Sequence, residues 1–488
     1  MATAVAPPAR VTADPYAELA AFFDRFADEE PRWKRRNRTY HRLIAQLMRF
    51  HVPEGASVLE VGCGSGDLLA ALKPSSGVGV DVSPKLVERA RAAHPGLRFE
   101  HVAGEELDVG DETFDYVVLS DLLPYVHDLL ALFHRIAEHS HPRTRIVINS
   151  YSRVWKPVIR LAEMLRLKPR KPLSNWVSPH DVLNLLGLAG FEQVTTEGRI
   201  LLPKQVPLLT TFLNGFVANL PLINLLALTN WIVARPLPQE LDESSVSIVC
   251  PCRNEQGHIA QLIERIPDFG VPTEVIFVEG NSTDDTRGEI LRQIEAHPER
   301  DLRFVPQTGK GKGDAVRAGF AAARNDVLMI LDGDLSVRPE DLPKFHRGLV
   351  EGRAELVNGS RLVYDMEPGS MRFLNMLGNR AFARLLKSII GQRVKDTLCG
   401  TKVMSRRDYE RIAAGRSYFG EFDPFGDFDL LFGAARLGLK IVDLPVRYQP
   451  RTYGETNISR WRHGVLLLRM TLFAFWKFRV APLSRRPV

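Results

Sequence analysis

Two carboxylates separated by a single glycine follow an apolar run in the C-terminal half of the sequence. Asp332 and Asp334 stand in VLMILDGDLS, directly after residues 327–331. Because successive apolar residues fill both faces of a strand, the run predicts a buried strand that ends at the aspartates. Two close negative charges repel each other unless a cation neutralises them. The pattern therefore predicts a divalent metal, and such a metal commonly brings phosphate with it.

A glycine-rich turn in the N-terminal half indicates a second ligand site. In LEVGCGSGDLL a predicted strand runs into Gly62, Gly64 and Gly66, and alternate glycines let the backbone approach a ligand closely. The dinucleotide fingerprint GxGxxG is not completed, because Asp67 follows Gly66, and this argues against NAD. Asp81 ends the next predicted strand, where its carboxylate can accept hydrogen bonds from both hydroxyls of a ribose. Together these features predict a nucleoside site.

Further polar residues follow predicted strands of the C-terminal half, at the sheet edge where ligands bind in open α/β folds. They lie in SVSIVCPCRNE, EVIFVEGNSTDDT and QTGKGKGDAVRAGF. The GKGKG run is not a phosphate-binding P-loop, because glycine and not Ser or Thr follows its last lysine. The candidate ligand-binding residues in these segments are Pro251, Arg253, Asn254, Glu255, Glu279 and Lys312.

The elements that must position these residues form two α/β patterns. Strands such as SVLEVG, GVGVDVS and FDYVVLS alternate with helical segments such as PKLVERARAAH, and the pattern restarts at SVSIVCPCRNE. This alternation predicts parallel sheets with helices on both faces. We predict an α/β protein with a domain at residues 1–236, which has an N-terminal helical cap and an apolar C-terminal extension. A Pro-rich, acidic linker at 237–244 joins it to a domain at 245–488.

Composition excludes several classes of protein. With 488 residues, 45% hydrophobic and 25% charged, the chain is globular in type. Its four cysteines form no CxxC pair, which fits a reducing cytoplasm. The net charge of +6 favours anionic partners, and we expect no nucleic acid among them. No signal peptide is expected, and the apolar regions 201–236 and 464–480 are too interrupted for a transmembrane helix.

The first half of the chain resembles the class I S-adenosylmethionine-dependent methyltransferases. The resemblance rests on Glu60, the glycine turn, Asp81 and the AGEEL motif, and it covers about residues 40–198. It implies a Rossmann-like fold in which the glycine turn faces the methionine, Asp81 holds the ribose and Glu105 reads the adenine. Positioning supplies most of the catalysis, because the sulfonium is already activated. His127 is the candidate for a base. Other acceptor-side candidates are Tyr125, Asn149, Tyr151, Asn175 and Trp176.

The second half resembles family 2 glycosyltransferases of the dolichol-phosphate mannose synthase type, which have the GT-A fold. The motifs are SIVCPCRNE, VEGNSTDDT, GKGDAVRAGF, DGDLSVRPEDL, GSR and DTLCGTKVMSR, and they span nearly all of residues 245–459. The resemblance implies that Asp332 and Asp334 bind Mg²⁺ or Mn²⁺, which neutralises the diphosphate of a nucleotide sugar. It also implies that Arg361 and Arg451 add guanidinium donors near the phosphates.

The sequence does not decide whether the sugar acceptor is a phosphate or a hydroxyl group. A polyprenyl phosphate is anionic near pH 7, because its second pKa is about 6, and it needs no base. A glycan or small-molecule hydroxyl needs one, for which Asp427 and Asp429 are the candidates. Helix capping is the competing explanation for Asp427. Glu279 stands where the family usually has Asp, so the sequence does not choose between UDP and GDP.

Two apolar regions raise the question of a membrane. Arg462, Arg469 and Lys477 fall on one side of a predicted C-terminal helix, and a basic amphipathic helix can lie in a membrane interface. Burial against the transferase domain is the alternative. For residues 201–236 we favour an interdomain or membrane-side platform. We therefore predict a cytoplasmic protein, with peripheral contact at the inner face of the membrane left open.

We predict a bifunctional enzyme that carries out S-adenosylmethionine-dependent methyl transfer and metal-dependent, inverting sugar transfer. The sugar passes from a nucleotide-diphosphate donor to a lipid carrier, small molecule or glycan. The alternative is a polyprenyl-phosphate glycosyltransferase whose methyltransferase-like domain serves as a binding scaffold. A pure binding protein is a further class, but the intact glycine turn and the intact pair of aspartates argue against loss of function in either half.

Overall fold

The structure is a computed structural model that describes residues 16–165, 175–237, 245–364, 373–419, 428–449, 453 and 460–483. The chain divides into two compact units, Met1–Pro236 and Leu237–Val488, called the first and second unit below. The division falls where the predicted linker begins. Asp427 and Arg451, two of the predicted site residues, lie outside the described residues.

The first unit is built on one sheet. Its strands are β1 (Ser57–Val61), β2 (Ser76–Asp81), β3 (Arg98–His101), β4 (Phe114–Ser120), β5 (Ser140–Tyr151), β6 (Phe191–Arg199) and β7 (Thr229–Pro236). The strand order is β3-β2-β1-β4-β5-β7-β6. The first five strands pair in parallel, as predicted, but β7 runs antiparallel to both β5 and β6. The prediction of a parallel sheet was therefore wrong for this end.

Helices connect and accompany the strands of the first unit. They are α1 (Ala17–Arg36), α2 (Arg38–His51), α3 (Asp67–Leu72), α4 (Pro84–Ala93), α5 (Leu129–Glu138), α6 (Lys156–Met164), α7 (Pro179–Leu188), α8 (Leu209–Gly215) and α9 (Pro221–Asn224). Side chains cap several of them: the Ser83 hydroxyl accepts the Leu86 N–H, and Asp128 accepts the N–H groups of Leu130 and Ala131. These caps fix where each helix begins after its strand.

Residues 201–236 were predicted to form an interdomain or membrane-side platform, but the end of this stretch belongs to the hydrophobic core. Trp231, Ile232 and Val233 of β7 are almost fully buried, because β7 lies between two strands of the sheet. The residues that interrupt this apolar stretch before the strand are Pro203, Pro207, Asn214, Pro221 and Asn224. Only the earlier part of the stretch is exposed.

The second unit contains a separate seven-stranded sheet. Its strands are β8 (Val246–Cys252), β9 (Thr273–Glu279), β10 (Asp301–Pro306), β11 (Val327–Ile330), β12 (Leu356–Ser360), β13 (Lys402–Ser405) and β14 (Ile441–Pro445). The order is β10-β9-β8-β11-β13-β12-β14, with β13 antiparallel to both of its neighbours. All four residues of β11 are fully buried, as the apolar run predicted.

The helices of the second unit flank this sheet. They are α10 (Ile259–Arg265), α11 (Thr286–Ala296), α12 (Lys312–Ala322), α13 (Leu342–Val350), α14 (Phe373–Ile390), α15 (Arg406–Ala414), α16 (Phe428–Arg436) and α17 (Arg460–Phe475). Within the described ranges of the whole chain, no helix combines the length and the apolarity that crossing a bilayer requires.

Candidate active sites

A cavity of about 710 Å³ opens at the carboxyl ends of β1, β2 and β4 in the first unit. This volume lies within the range of cofactor and small-molecule sites. Helices α1 and α2 contribute the opposite wall through Phe23, Trp33 and Tyr40. The cavity brings together most of the residues predicted to bind the cofactor, namely Glu60, Gly62, Gly64, Asp81 and Glu105.

The glycine turn needs glycine for two different reasons. Gly62, Gly64 and Gly66 have φ values of +76°, +55° and +76°, a region that other residues adopt only with strain. A Cβ atom on Gly62 would lie 2.6 Å from Leu122, and one on Gly66 would lie 2.6 Å from Phe99, so both are also enclosed. The nearest atom to a Cβ on Gly64 is a Glu30 oxygen at 3.8 Å. Gly64 therefore leaves open space on the ligand side.

Two acids stand beside this turn, buried Glu60 and half-buried Asp81. Asp81 accepts the N–H of Gly64 at 2.8 Å and the N–H of Ser83 at 2.9 Å, so it ties the end of β2 to the turn. Burial raises the pKa of Asp81 and raises that of Glu60 to about 8. Among the described residues, Glu60 Oε2 has no hydrogen-bond partner. This edge of the cavity can therefore receive donors from a ligand.

Glu105 offers a second unpaired oxygen. Its Oε1 accepts the backbone N–H groups of His127 and Asp128 at 3.1 and 3.0 Å, and the hydroxyl of Tyr16. Its Oε2 is buried and has no partner within the part of the chain that is described. Because an unpaired buried acceptor costs free energy, this oxygen fits an N–H donor on a ligand.

His127 contributes its backbone and not its ring. The residue is exposed and does not line the cavity, whereas its peptide N–H donates to Glu105 and Tyr16. A catalytic role for His127 therefore stays a prediction without support from the geometry.

The cavity is also lined by a carboxylate that the sequence analysis did not name. Asp121, immediately after β4, has a φ of +52° and lines the cavity. It accepts the Tyr40 hydroxyl at 2.7 Å and the Asn149 amide at 3.0 Å. The Tyr40 ring stacks on Tyr151 with centroids 5.7 Å apart. Of the acceptor-side candidates, Tyr125 and Tyr151 also line this cavity, whereas Asn175 and Trp176 line a small neighbouring recess.

Helix α1 is fastened across the glycine turn by one lysine. Lys34 Nζ lies 2.5 Å from Asp67, 2.5 Å from Ser65 Oγ and 2.9 Å from Glu30. Although desolvation opposes the charge, these carboxylates raise the pKa of Lys34. The predicted helical cap is thus bound to the glycine turn, which was predicted to face the cofactor. Sequence spacing gave no sign of this contact, because Lys34 lies outside the glycine motif.

In the second unit, the two aspartates follow β11, and the first of them, Asp332, contacts Lys312. Asp332 Oδ1 lies 2.6 Å from Lys312 Nζ, at the start of α12. A Cβ atom on Gly400 would lie 2.1 Å from Asp332 Oδ2 and 2.2 Å from that Nζ, so a larger residue there would force the ion pair to shift. Asp334 Oδ1 accepts the Ser336 N–H at 3.1 Å. The close approach of Gly400 was not visible in the sequence.

Residues predicted to bind the nucleotide lie at or after the ends of β8 and β9, and hydrogen bonds hold these two turns in place. Asn254, at φ +58°, accepts the Thr283 N–H at 2.7 Å, and Glu279 accepts the Ser282 N–H at 2.7 Å. Glu255 pairs with buried His258 at 2.9 Å. A Cβ atom on Gly333 would lie 3.2 Å from the Pro251 carbonyl and 3.6 Å from Glu255, which places both beside the aspartates. Arg253 is exposed.

Arg361 is engaged by Asp396, the first residue of the DTLCGTKVMSR motif, to which the sequence analysis assigned no role of its own. Its Nε and Nη2 donate to Asp396 at 2.7 and 2.9 Å, and Asp396 also accepts the Asn379 amide. The guanidinium carbon lies 5.1 Å from the centroid of the Tyr448 ring. Burial raises the pKa of Tyr448, and the charges of Asp334 and Asp332 add to this effect. Phosphate binding by Arg361 stays a prediction.

The remaining predictions concern the end of the chain. Asp429 on α16 accepts Arg416 Nε at 2.7 Å, and a tenth of its side chain is exposed. Lys477 Nζ lies 4.7 Å from the Tyr418 ring. The expected basic face of α17 is largely apolar in the structure, although Arg469 is exposed and the side chain of Arg462 lies outside the description. The large apolar residues on this face are Val465, Leu468, Leu472 and Trp476.

The described residues contain no group of three or more His, Cys, Asp or Glu side chains that could hold a metal. Asp332 and Asp334 offer two carboxylates. Such a pair fits Mg²⁺ or Mn²⁺, because Mg²⁺ is usually bound by one or two carboxylates, waters and phosphates of the substrate.

Comparisons with known proteins match each half of the chain separately. The profile "Glycosyl transferase family 2" matches residues 247–413, and the profile "Methyltransferase domain" matches residues 32–196. Three relatives from Haloferax volcanii each match over 46% of this chain. They are glycosyltransferase AglJ (32% identical), the low-salt glycan biosynthesis hexosyltransferase Agl6 (31%) and a dolichyl-phosphate hexose transferase (31%). The matches cover 69%, 53% and 90% of these relatives, so Agl6 is matched over about half its length.

Proposed function

Because this chain belongs to glycosyltransferase family 2 through its second unit and carries a methyltransferase domain in its first, we propose that it is a bifunctional transferase. The second unit transfers a sugar from a nucleotide-diphosphate donor, with inversion at the anomeric carbon. The first unit transfers a methyl group from S-adenosylmethionine.

The observation that carries the sugar-transfer proposal is the grouping of one ammonium with two carboxylates after β11. Lys312 Nζ lies 2.6 Å from Asp332, and only Gly333 separates Asp332 from Asp334. The two aspartates would hold Mg²⁺ or Mn²⁺, which supplies positive charge against the departing diphosphate when bound. Lys312 would donate to a phosphate oxygen from the N-terminus of α12, where backbone N–H groups also favour anions.

A polyprenyl phosphate is the acceptor that the geometry supports best. Asp429, the described candidate for a base, accepts Arg416 Nε at 2.7 Å, so one of its oxygens is already engaged within the protein. A phosphate monoester is already anionic near pH 7, because its second pKa is about 6. It could therefore attack the sugar on the face opposite the diphosphate without a base. One relative is named a dolichyl-phosphate hexose transferase, which supports this class of acceptor.

The exposed face of α17 supports peripheral membrane contact by the second unit. Leu468, Leu472 and Trp476 are about half exposed or more and lie beside the exposed Arg469. An apolar stripe with a basic neighbour suits the interface of an anionic membrane.

The cavity of the first unit fits S-adenosylmethionine. Asp81 would accept the ribose hydroxyls, since each of its oxygens keeps a lone pair beyond the bond it makes to the backbone. The buried Glu105 Oε2 would accept an N–H of the adenine. When bound, the cofactor supplies an activated methyl group. Asp121, held by Tyr40 and Asn149, would accept a hydrogen bond from the incoming nucleophile and so position it.

Calorimetric titration of UDP and GDP, with and without Mn²⁺, tests the sugar-transfer proposal without requiring the acceptor. We expect one nucleotide to bind in a metal-dependent manner. Asp334→Asn should weaken that binding by at least about tenfold, a loss typical when a group that supports a metal is removed. Gly400→Ala should also weaken it, because its Cβ would displace the Asp332–Lys312 pair.

Asp268→Asn is the matched control, because Asp268 is an exposed carboxylate in a turn of the same unit. It should bind the nucleotide as the unaltered protein does. If neither nucleotide binds, or if Asp334→Asn binds equally well, the proposed sugar-transfer site is wrong.

A further inference from the structure

The connection between β6 and β7 carries an unusual exposed surface. These strands are antiparallel neighbours, which a two-residue turn could join. Instead, residues 200–228 intervene and form α8 and α9. Together with α6 they expose an apolar surface, called the apolar platform below. Its most exposed side chains are Leu208 (89%), Leu222 (81%), Met164 (73%) and Leu225 (67%). Its other members are Val154, Val158, Leu161, Leu165, Leu209, Phe212, Phe216, Leu220 and Leu226.

In this connection polar side chains are buried and apolar side chains are exposed, the reverse of an ordinary water-facing surface. Its Asn214 side chain is buried and accepts the N–H groups of Leu201 and Leu202, both at 2.8 Å. Asn224 donates to the carbonyls of Gly198 and Ala218, both at 2.8 Å. Thus amides hold the connection together from within while its leucines and phenylalanines point outward. Large contiguous apolar patches of this kind mark interaction sites.

Helix α6 belongs to the same surface. The Trp155 indole N–H, immediately before α6, donates to the carbonyl of Leu226 at 2.9 Å. The Ser152 N–H donates to the Leu228 carbonyl at 2.8 Å. These two bonds hold the start of α6 against the end of the connection, and the platform comprises the exposed apolar side chains of both segments.

The side chains around the platform are mostly basic, and this charge indicates an anionic partner. Within the described residues 153–165, Arg153, Lys156 and Arg160 are basic and Glu163 is the one acid. Residues 200–228 contain Lys204 and no acid. Arg153 and Arg160 are exposed beside the apolar side chains. Apolar groups bordered by cations complement a bilayer with anionic headgroups, where each basic residue adds to the attraction.

We propose that the apolar platform docks the first unit on an anionic lipid bilayer, with α6, α8 and α9 lying in the interface. The leucines and phenylalanines enter the acyl region, and the arginines and lysines contact the headgroup phosphates. The proposal goes beyond the two transfer reactions and does not depend on them. If a lipid carrier is the acceptor, the platform would bring the methyltransferase unit to the same surface.

Co-sedimentation of the full chain with vesicles tests this proposal. The chain should pellet with phosphatidylcholine vesicles that contain phosphatidylglycerol, and less with phosphatidylcholine alone. The double variant Leu208→Asp, Leu222→Asp should lower the partition coefficient at least about tenfold, because withdrawing even one leucine from an apolar phase weakens binding by about that factor. Both positions are exposed, and unchanged binding of S-adenosylhomocysteine would verify that the variant is folded.

Two control variants separate the platform from other surfaces. Leu188→Asp changes an exposed leucine on α7 that is not part of the platform and should leave pelleting unchanged. Leu468→Asp with Leu472→Asp alters α17 and should leave binding by the platform in place. If the platform variant pellets like the unaltered chain, or if only the α17 variant loses binding, the proposal is wrong. If the unaltered chain does not pellet with vesicles, the proposal is also wrong. If that chain instead self-associates and the platform variant does not, the platform binds a second copy of the chain.

Discussion

Glu60 is a buried acid whose ionisation opposes folding of the first unit. Burial raises its pKa to about 8, whereas a glutamate in an unfolded chain titrates near 4.3. Between roughly pH 4 and 8 the folded state therefore binds a proton that the unfolded state has lost, and the stability due to this group falls as pH rises through that window. Above about pH 8 the loss is complete.

We predict that Glu60→Gln becomes more stable relative to the unaltered chain as pH rises from 5 to 8, because glutamine has no proton to lose. The difference should change by the order of 3 kcal/mol. Urea unfolding at both pH values measures it, using the transition that S-adenosylhomocysteine shifts. Both proteins contain the other acids, such as Asp81, so the contributions of these acids to the pH dependence cancel when the two proteins are compared. Equal pH dependence of the two proteins would mean that Glu60 is ionised in the folded state.

At the scale of elements, α1 is a cover held on the cavity of the first unit, the proposed cofactor site, by Lys34. Its ammonium contacts Glu30 within α1 and Ser65 and Asp67 in the glycine turn, at 2.5 to 2.9 Å. Phe23, Phe26 and Trp33 of the same helix line the cavity. Release of a bound cofactor should therefore require this helix to lift.

We predict that Lys34→Ala increases the dissociation rate of S-adenosylhomocysteine about tenfold and changes the association rate less, as is usual when contacts that retain a ligand are removed. Stopped-flow fluorescence of Trp33 can follow the release. Lys85→Ala is the matched control, because Lys85 pairs with Asp28 of α1 at 2.7 Å without touching the glycine turn. If both variants release the ligand at the same rate, the cover depends on α1 packing and not on Lys34.

The sequence predicted those elements whose pattern is local. The buried run of β11 and the strand–glycine–helix turn at Gly62 needed no distant partner to be identified. The antiparallel β7 could not be predicted, because its apolar residues continue an interrupted apolar stretch and their burial depends on pairing with β5 and β6.

The same distinction applies to the sites. Asp332, Asp334 and Asp81 were predicted because Asp81 ends a strand and the other two follow one closely. Gly400 approaches Asp332 from a segment far along the chain, and Arg361 meets Asp396 only after folding. Asp121 follows β4 without a recognisable motif, and its role emerges only from its bonds to Tyr40 and Asn149. Contacts between distant segments therefore account for what the sequence did not show.

At the scale of the whole molecule, two separate cores predict two separate responses to ligands. One buried cluster includes Val61, Val117 and Ile232 of the first unit, and another includes Ile248, Phe277 and Met329 of the second. A ligand that binds only a folded unit stabilises that unit by mass action, by about 2.7 kcal/mol at a hundredfold excess over Kd. We therefore predict two calorimetric transitions. S-adenosylhomocysteine should raise one, and Mn²⁺ with the matching nucleotide should raise the other.

Variants assign each transition to its unit. Gly64→Arg should abolish the response to S-adenosylhomocysteine alone, because the side chain would project into the space that Gly64 leaves open. Gly110→Arg is its matched control, since Gly110 also has a positive φ, +67°, but lies on the exposed surface away from the cavity. Asp334→Asn should abolish only the response to nucleotide. If either ligand raised both transitions, or if Gly64→Arg removed both responses, the two sites would be energetically coupled, and methyl transfer and sugar transfer would have to be treated as steps that depend on each other.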